Sequence, residues 1–321
     1  MEGERLTLTL RDIEHARTVI APMVHRTPLL GSGALGERIG ATAFLKAESL
    51  QRTGSFKVRG AVHAVGALSP DERAGGIVTM SAGNHAAAVA YAGGSFGARV
   101  VVAMPETAPA TKVAATRGYG AEIRFAPDTT KLMPIVDELR GRGFRFVDPW
   151  DDVIPGTGTI GLEIVDDLPD VDLVVVPVGG GGLIAGIATA VRARRPGARV
   201  VGVQPAGAAA MRRSLDAGRP VRLERVDTIA DGCTAPSVGV LALEIVQRLA
   251  EDVVVISDQA IREGLRFVFE RARLVVEPAG AVGVAALLCG AVRVRPGERV
   301  AVVLSGGNID AARFADLLDP R

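Results

Sequence analysis

Only four lysines occur in this chain, Lys46, Lys57, Lys112 and Lys131, and arginine supplies nearly all the remaining positive charge. Lys57 stands in SLQRTGSFKVRGA, directly after a phenylalanine and in a segment that is apolar on both sides. Such an amine is not generic surface charge. Burial among apolar neighbours lowers an amine's pKa from about 10.4, and an unprotonated amine can attack a carbonyl carbon or take a proton. Arg59, two residues on, either adds to that depression by like charge or serves in a surface or interlobe salt bridge.

Three other segments carry groups suited to a ligand. In VVVPVGGGGLIAGIATAV, Gly179, Gly180, Gly181 and Gly182 separate an apolar strand from an apolar helix. Glycines let backbone N–H groups close on an anion at a helix N-terminus, where the dipole favours negative charge. A tight turn needs one or two glycines; four in a row predict a phosphate site. The loop has neither G-x-G-x-x-G spacing with an acidic ribose ligand nor the lysine and hydroxyl of a P-loop, which weakens a nucleotide reading. In VTMSAGNHAAAVAYA, Ser81, Ala82, Gly83, Asn84 and His85 open an alanine-rich helix whose free N–H groups suit a carboxylate. Read alone, Ser81 or Asn84 there is simply an N-cap. In VVLSGGNID, Ser305 offers one neutral hydroxyl at a strand end. One amine, two anion nests and one neutral partner are the pieces that hold an aldehyde cofactor and an amino acid.

These segments need a scaffold, and the rhythm of the chain predicts it. Short β-branched runs at GIVTMS, RVVVAMP, AEIRFA and FRFV alternate with alanine-rich helical stretches, as do DLVVVP, RVVGVQP, DVVVIS and RVAVVLS. That is a βαβ pattern, hence parallel sheets, and runs apolar throughout are strands covered on both faces. Two groups of strands predict two α/β lobes, with crossings near residues 69–75 and 148–156. Ligands bind at the carboxyl ends of strands in such sheets, where the glycine clusters lie.

A length of 321 residues, 48% of them hydrophobic, allows a sizeable core, and a formal net charge of +1 with scattered basic residues gives no nucleic-acid stripe. Cys233 and Cys289 are too few and too far apart for a disulfide framework or a zinc site, and read as packed thiols in a reducing compartment. The start MEGERLTLTL has no basic, apolar signal-peptide pattern, and no segment approaches the roughly 20 apolar residues that span a bilayer. The expectation is a cytoplasmic protein with a small-molecule ligand, no nucleic acid and no membrane.

In this order and spacing, TGSFKVRGA, SAGNHA, VGGGGLIAG, TIADGC and LSGGN resemble the threonine and serine dehydratase group of fold-type II pyridoxal-phosphate enzymes, across residues 21–312. The resemblance implies a two-lobed, tryptophan synthase β-like α/β fold, each lobe a mostly parallel sheet flanked by helices. Residues 1–74 and 153–321 would form the large cofactor-binding domain and 75–152 the small one. The cofactor would be pyridoxal 5'-phosphate, joined covalently to Lys57, with Phe56 against its ring and Asn84 on its ring hydroxyl. Gly179, Gly180, Gly181, Gly182 and Leu183 would hold its phosphate, and Ser305 would face its ring nitrogen. Gly232 and Glu277 would lie at its edge, although Glu277 is equally readable as a helix-start carboxylate. Ser81, Ala82, Gly83, Asn84 and His85 would surround the substrate carboxylate, with Lys131 and Thr157 as further neighbours. His15, His25 and His63 have no convergent partners and read as ordinary surface or helix residues.

The same resemblance bears on the reaction. A neutral serine at the ring nitrogen leaves it largely unprotonated, so a carbanion is short-lived and loss of a β-substituent is favoured over transamination. Lys57 would take the Cα proton, and the cofactor phosphate would protonate the departing hydroxide. The implied activity converts L-threonine, and L-serine, to 2-oxobutyrate or pyruvate and ammonia. Racemases of this group carry a serine where this chain has Ala82, which cannot move a proton. Their divalent-cation ligands correspond to Gln204 and Ala210 here, so no metal is expected. Because few residues follow LSGGN, no isoleucine-binding regulatory domain is expected. A serine racemase, a β-replacement enzyme or a dehydratase of hydroxyaspartate or phenylserine are the alternatives within the cofactor class. A non-catalytic ligand-binding protein is the alternative outside it, against which the intact lysine argues. A homodimer or homotetramer is implied.

Overall fold

The computed structural model describes residues 7–319. Residues 1–6, which belong to the stretch considered for a signal peptide, lie outside them, as do the outermost ends of the large-domain assignment. The strands are β1 (Leu29–Gly31), β2 (Thr42–Lys46), β3 (Ile77–Met80), β4 (Val100–Pro105), β5 (Glu122–Ala126), β6 (Arg145–Phe146), β7 (Leu173–Pro177), β8 (Arg199–Pro205), β9 (Asp252–Ile256) and β10 (Arg299–Val303). They form a six-stranded sheet, β1-β2-β10-β7-β8-β9, and a four-stranded sheet, β5-β4-β3-β6. Among the described residues every pairing of these strands is parallel except β1 with β2 at the edge.

The apolar runs become strands because each sheet is covered on both faces. Along β7, Val174 and Val176 enter one core with Ile160 and Ile184, while Leu173 and Val175 enter another with Val282 and Leu265. That is the two-residue alternation of a pleated strand with no solvent face. The small sheet is covered on one side by Val58, Val62 and Val65 of helix Lys57–Gly66 together with Val89 of helix Asn84–Ser95. Leu132, Val136 and Leu139 cover the other side. The helix that begins at Lys57 therefore packs into the small lobe's core.

Three helices that open toward the strand ends touch through glycine. A Cβ on Gly156, in helix Ile154–Asp167, would lie 2.3 Å from the Arg59 carbonyl oxygen and 2.8 Å from Gly60 Cα. A Cβ on Gly186, in helix Gly182–Arg194, would lie 2.6 Å from the Gly158 nitrogen. Bare backbones at these crossings fix the spacing of the helix starts.

Two expectations change. The crossing at residues 69–75 contains a helix, Pro70–Gly75, started by a reciprocal Ser69–Glu72 capping box. Cys233 is buried, but Cys289 is exposed, because it follows the last turn of helix Pro278–Leu288. Among the described residues no helix is long and apolar enough to cross a membrane.

Candidate active site

The carboxyl ends of β3, β7 and β10 face a cavity of about 400 Å³ between the lobes. Its wall brings together Phe56, Lys57, Ser81, Ala82, Gly83, Asn84, His85, Gly179, Gly180, Gly181, Gly182, Leu183, Gly232, Glu277 and Ser305. Lys131 is exposed and Thr157 is buried, and neither is among the lining residues. The Thr157 hydroxyl donates to the Gly182 carbonyl at 3.0 Å instead, so it braces the glycine loop.

Lys57 is placed by the strand end beside it. The Phe56 N–H donates to the Ser305 carbonyl at 3.0 Å, and Ser55 forms a bridge with Gly306. The lysine Nζ lies 4.9 Å from the Phe56 ring centroid. Burial holds the amine's pKa below its usual 10.5, only partly offset by Cys233 and Glu277.

Arg59 is not among the causes of that depression, and its salt bridges are buried instead of lying at the surface. Its guanidinium is fully buried and donates at 2.8 Å to both Glu48 oxygens, at 2.7 and 2.9 Å to the Glu163 oxygens, and at 3.2 Å to the His25 carbonyl. Lys46 donates to Glu163 at 2.6 Å, and the Thr27 hydroxyl donates to Glu48. Two cations face two carboxylates, and the opposite charges hold the Glu163 carboxyl below its ordinary pKa despite burial. The cluster ties the start of Lys57's helix to β2 and to helix Ile154–Asp167.

The glycine loop is a cradle with no space for side chains. A Cβ on Gly180 would lie 2.6 Å from Trp150 Cδ1, and one on Gly181, at φ +102°, would lie 2.5 Å from Met211 Cε. The N–H groups of the first turn of helix Gly182–Arg194 have no intrahelical acceptor and are available to an anion. Buried Gln204 secures the loop from behind. Its amide donates to the carbonyls of Ala208 at 3.2 Å and of Val178 and Gly179 at 3.4 Å, and accepts from the Arg212 N–H at 2.9 Å.

Helix Asn84–Ser95 has Gly83 as its N-cap, so neither Ser81 nor Asn84 is spent capping it. The Ser81 hydroxyl accepts from the Gly83 N–H at 3.0 Å. The Asn84 amide donates to Glu277 Oε1 at 2.7 Å and accepts from Asn308 Nδ2 at 3.0 Å. Glu277 makes no side-chain cap on helix Pro278–Leu288; its Oε2 is buried without a partner. Burial pushes its carboxyl up to about 7, against the pull of Lys112. Burial also drives His85 down to about 3, so its ring is neutral. Its Nε2 lies 3.1 Å from the Thr79 hydroxyl, which donates to the Val147 carbonyl at 2.9 Å. Ser305, nearly fully buried, donates to the Ala279 carbonyl at 3.2 Å and presents no charge.

Several lining or adjoining residues escape a reading of the sequence. Trp150 packs on the glycine loop, its backbone N–H donating to Asp148 at 2.5 Å. Cys233 sits beside Lys57, its thiol pushed up to about 12 by burial and by Glu277. Lys112 and Asp231 pair across the cavity at 2.8 Å. Away from the cavity wall, His63 is a residue of helix Lys57–Gly66, as expected, and burial with His15 holds its pKa below the usual value. Lys112 had a usable signal as one of four lysines, and Asp231 and Cys233 lie in the TIADGC segment.

This wall fits pyridoxal phosphate. A buried amine whose pKa burial lowers, a side-chain-free anion cradle, a neutral hydroxyl and an orphaned buried carboxyl oxygen answer the aldehyde, phosphate and ring of that group. Likeness to known proteins points the same way. The family model described as pyridoxal-phosphate dependent enzyme matches residues 20–306. The L-threonine ammonia-lyase of Thermotoga maritima is 44% identical over 313 residues, covering 94% of this chain and 76% of that protein. The crystal structure of T.th. threonine deaminase superposes with a TM-score of 0.88 at 41% identity, covering 94% of this chain and 99% of that one. Maize serine racemase superposes with a TM-score of 0.93 at 34% identity, covering 97% and 96%. The chain thus belongs to the family of pyridoxal-phosphate dependent enzymes, with their fold-type II architecture.

Proposed function

We infer that the chain is a pyridoxal-phosphate-dependent threonine ammonia-lyase, converting L-threonine to 2-oxobutyrate and ammonia, with L-serine giving pyruvate. The observation that carries this is the cavity in which Lys57, the 179–182 cradle and neutral Ser305 meet, with Ala82 in the place of a second proton carrier. Pyridoxal phosphate, when bound, would supply the electron sink for loss of the Cα proton.

The chain's residues do the rest. Glycines 179–182 and Leu183 would hold the phosphate, Phe56 and Gly232 would lie beside the ring, and Asn84, kept in place by Glu277 and Asn308, would serve the ring hydroxyl. The 81–85 loop turns N–H groups to the substrate carboxylate, and neutral His85 adds no charge there. The Lys57 amine takes the proton from Cα, a task for which its depressed pKa suits it. Ser305, carrying no charge, favours rapid expulsion of the β-hydroxyl over a long-lived carbanion.

Likeness to racemases, maize serine racemase among them, favours a second reading, racemisation. Ala82 weighs against it, since proton delivery to the opposite face needs an acid that alanine lacks. Purified enzyme incubated with L-threonine is expected to yield a 2-oxo acid and ammonia in equal amounts. Cofactor-loaded enzyme giving no 2-oxo acid from any β-hydroxy amino acid would retire the assignment, and chiral analysis of serine separates racemisation from elimination.

Residues 1–74 with 153–321 serve as the cofactor-binding domain and 75–152 as the small one, a division supported by the two sheets. The helix at Lys57 bridges them. A cytoplasmic homodimer or homotetramer without nucleic-acid partners completes the proposal.

A further inference from the structure

Lys112 reaches the cavity from the small lobe, on helix Ala110–Gly118. Its Nζ lies 2.8 Å from Asp231 Oδ2, on the large lobe's turn Asp231–Cys233. Arg313, from helix Ala311–Leu318, approaches the same oxygen at 3.5 Å and donates to the Ile229 carbonyl at 2.9 Å. Asp231 therefore faces two cations. A Cβ on Gly83 would lie only 3.6 Å from Lys112 Nζ, so the ammonium sits directly over the middle of the 81–85 loop. Glycine at 83 keeps the gap between them open.

N–H groups at a helix start offer partial charges, whereas a carboxylate gains most from a full cation bonded to it. Lys131, expected near the substrate, is exposed and outside the cavity wall. Lys112 is 13% exposed on its side chain and lines it. Glu277, the other carboxyl whose charge Lys112 feels, keeps its proton to about 7 and competes weakly. A part-exposed ion pair of this kind contributes little to stability, which leaves its position in the wall to be explained.

We propose that Lys112 is the cation that receives the substrate's carboxylate, resting on Asp231 and transferring to the carboxylate once the 81–85 loop holds it. This depends on the reading of that loop as the carboxylate site. Arg313 stays on Asp231 during the exchange, so no carboxylate is left without a counter-charge. No covalent bond changes; one hydrogen-bonded partner replaces another.

Calorimetric titration of the holoenzyme with propionate, and with uncharged propionamide, tests this apart from turnover. Wild type is expected to prefer propionate. Lys112→Met should weaken propionate about ten- to hundredfold, with propionamide unchanged, and Lys112→Arg should restore most of the difference. Asp231→Asn, which releases Lys112, should tighten propionate. In steady-state assays Lys112→Met should raise KM while kcat stays within about threefold. Equal weakening by Lys112→Met and Asp231→Asn would mark the pair as a tie between lobes only, and unaltered propionate binding in Lys112→Met would place the carboxylate elsewhere; either result overturns the proposal. Lys112-dependent propionate binding in an enzyme inactive on every β-hydroxy amino acid would sink the reaction assigned above and leave this inference standing.

Discussion

At the scale of single residues, the site works by deciding which groups keep their protons. Lys57 is pushed toward the free amine by burial, and Glu277 toward the neutral acid by the same cause. Lys57→Ala should lower turnover by at least about 10²- to 10⁴-fold and abolish the borohydride-fixed cofactor label on the peptide containing position 57. Glu277 gives a pH signature. Its folded pKa of about 7 lies above the ordinary 4.5, so the stability it contributes is present below 4.5 and lost as pH rises through 7. Glu277→Gln should then make the cofactor-free chain more stable than wild type at pH 8, by up to about 3 kcal/mol, with the gap closing toward pH 4.5 in urea titrations. Lys57, the glycine run and Ser305 were legible because their chemistry is local to a motif. Arg59 was not. Its carboxylate partners lie 11 and 104 positions away, and nothing in FKVRG distinguishes a buried fork from a surface charge. The pairing of Lys112 with Asp231, 119 positions apart, was hidden for the same reason.

At the scale of elements, glycine contacts and one ionic cluster set where the helices begin. Gly156→Ala would force a methyl against the Arg59 carbonyl and push apart a pair of helix starts, one carrying Lys57 and the other following Trp150. It should destabilise by about 1–3 kcal/mol and weaken cofactor binding, measured by denaturation and by cofactor titration. Breaking the buried cluster is more severe: Glu163→Gln leaves Lys46 and Arg59 undercompensated, with an expected loss of about 3–5 kcal/mol in the same denaturation experiment. The eight β-branched runs read from the chain became β3 to β10; β4, β7, β8 and β10 are buried along nearly their whole length and largely apolar, whereas β5, β6 and β9 keep exposed positions. The short edge pair β1 and β2 was missed. Its residues mix buried and exposed positions, and LLG or TAFLK has no periodicity long enough to separate strand from loop.

At the scale of the molecule, the lobes are tied through the helix Lys57–Gly66, whose apolar face lies in the small lobe's core while the residues just before it are bonded to the end of β10. A chain so connected should unfold as one unit. Far-UV dichroism and Trp150 emission are expected to give coincident urea transitions, and separated midpoints would show the lobes to be independent. The two-lobed arrangement was legible from strand rhythm, whereas the sharing of this helix was not, because its apolar face matches either sheet equally well.

The scarcity of lysine has a consequence for how a reactive aldehyde finds its target. Lys46 is fully buried in the ionic cluster, Lys112 is engaged by Asp231, and Lys131 alone of the other three stands open to solvent. A surface coated in guanidinium groups cannot condense with carbonyl compounds under ordinary conditions, so stray adducts have almost nowhere to form. The chain achieves chemical selectivity for one position partly by omission, leaving Lys131 as the one other lysine open to solvent among the described residues.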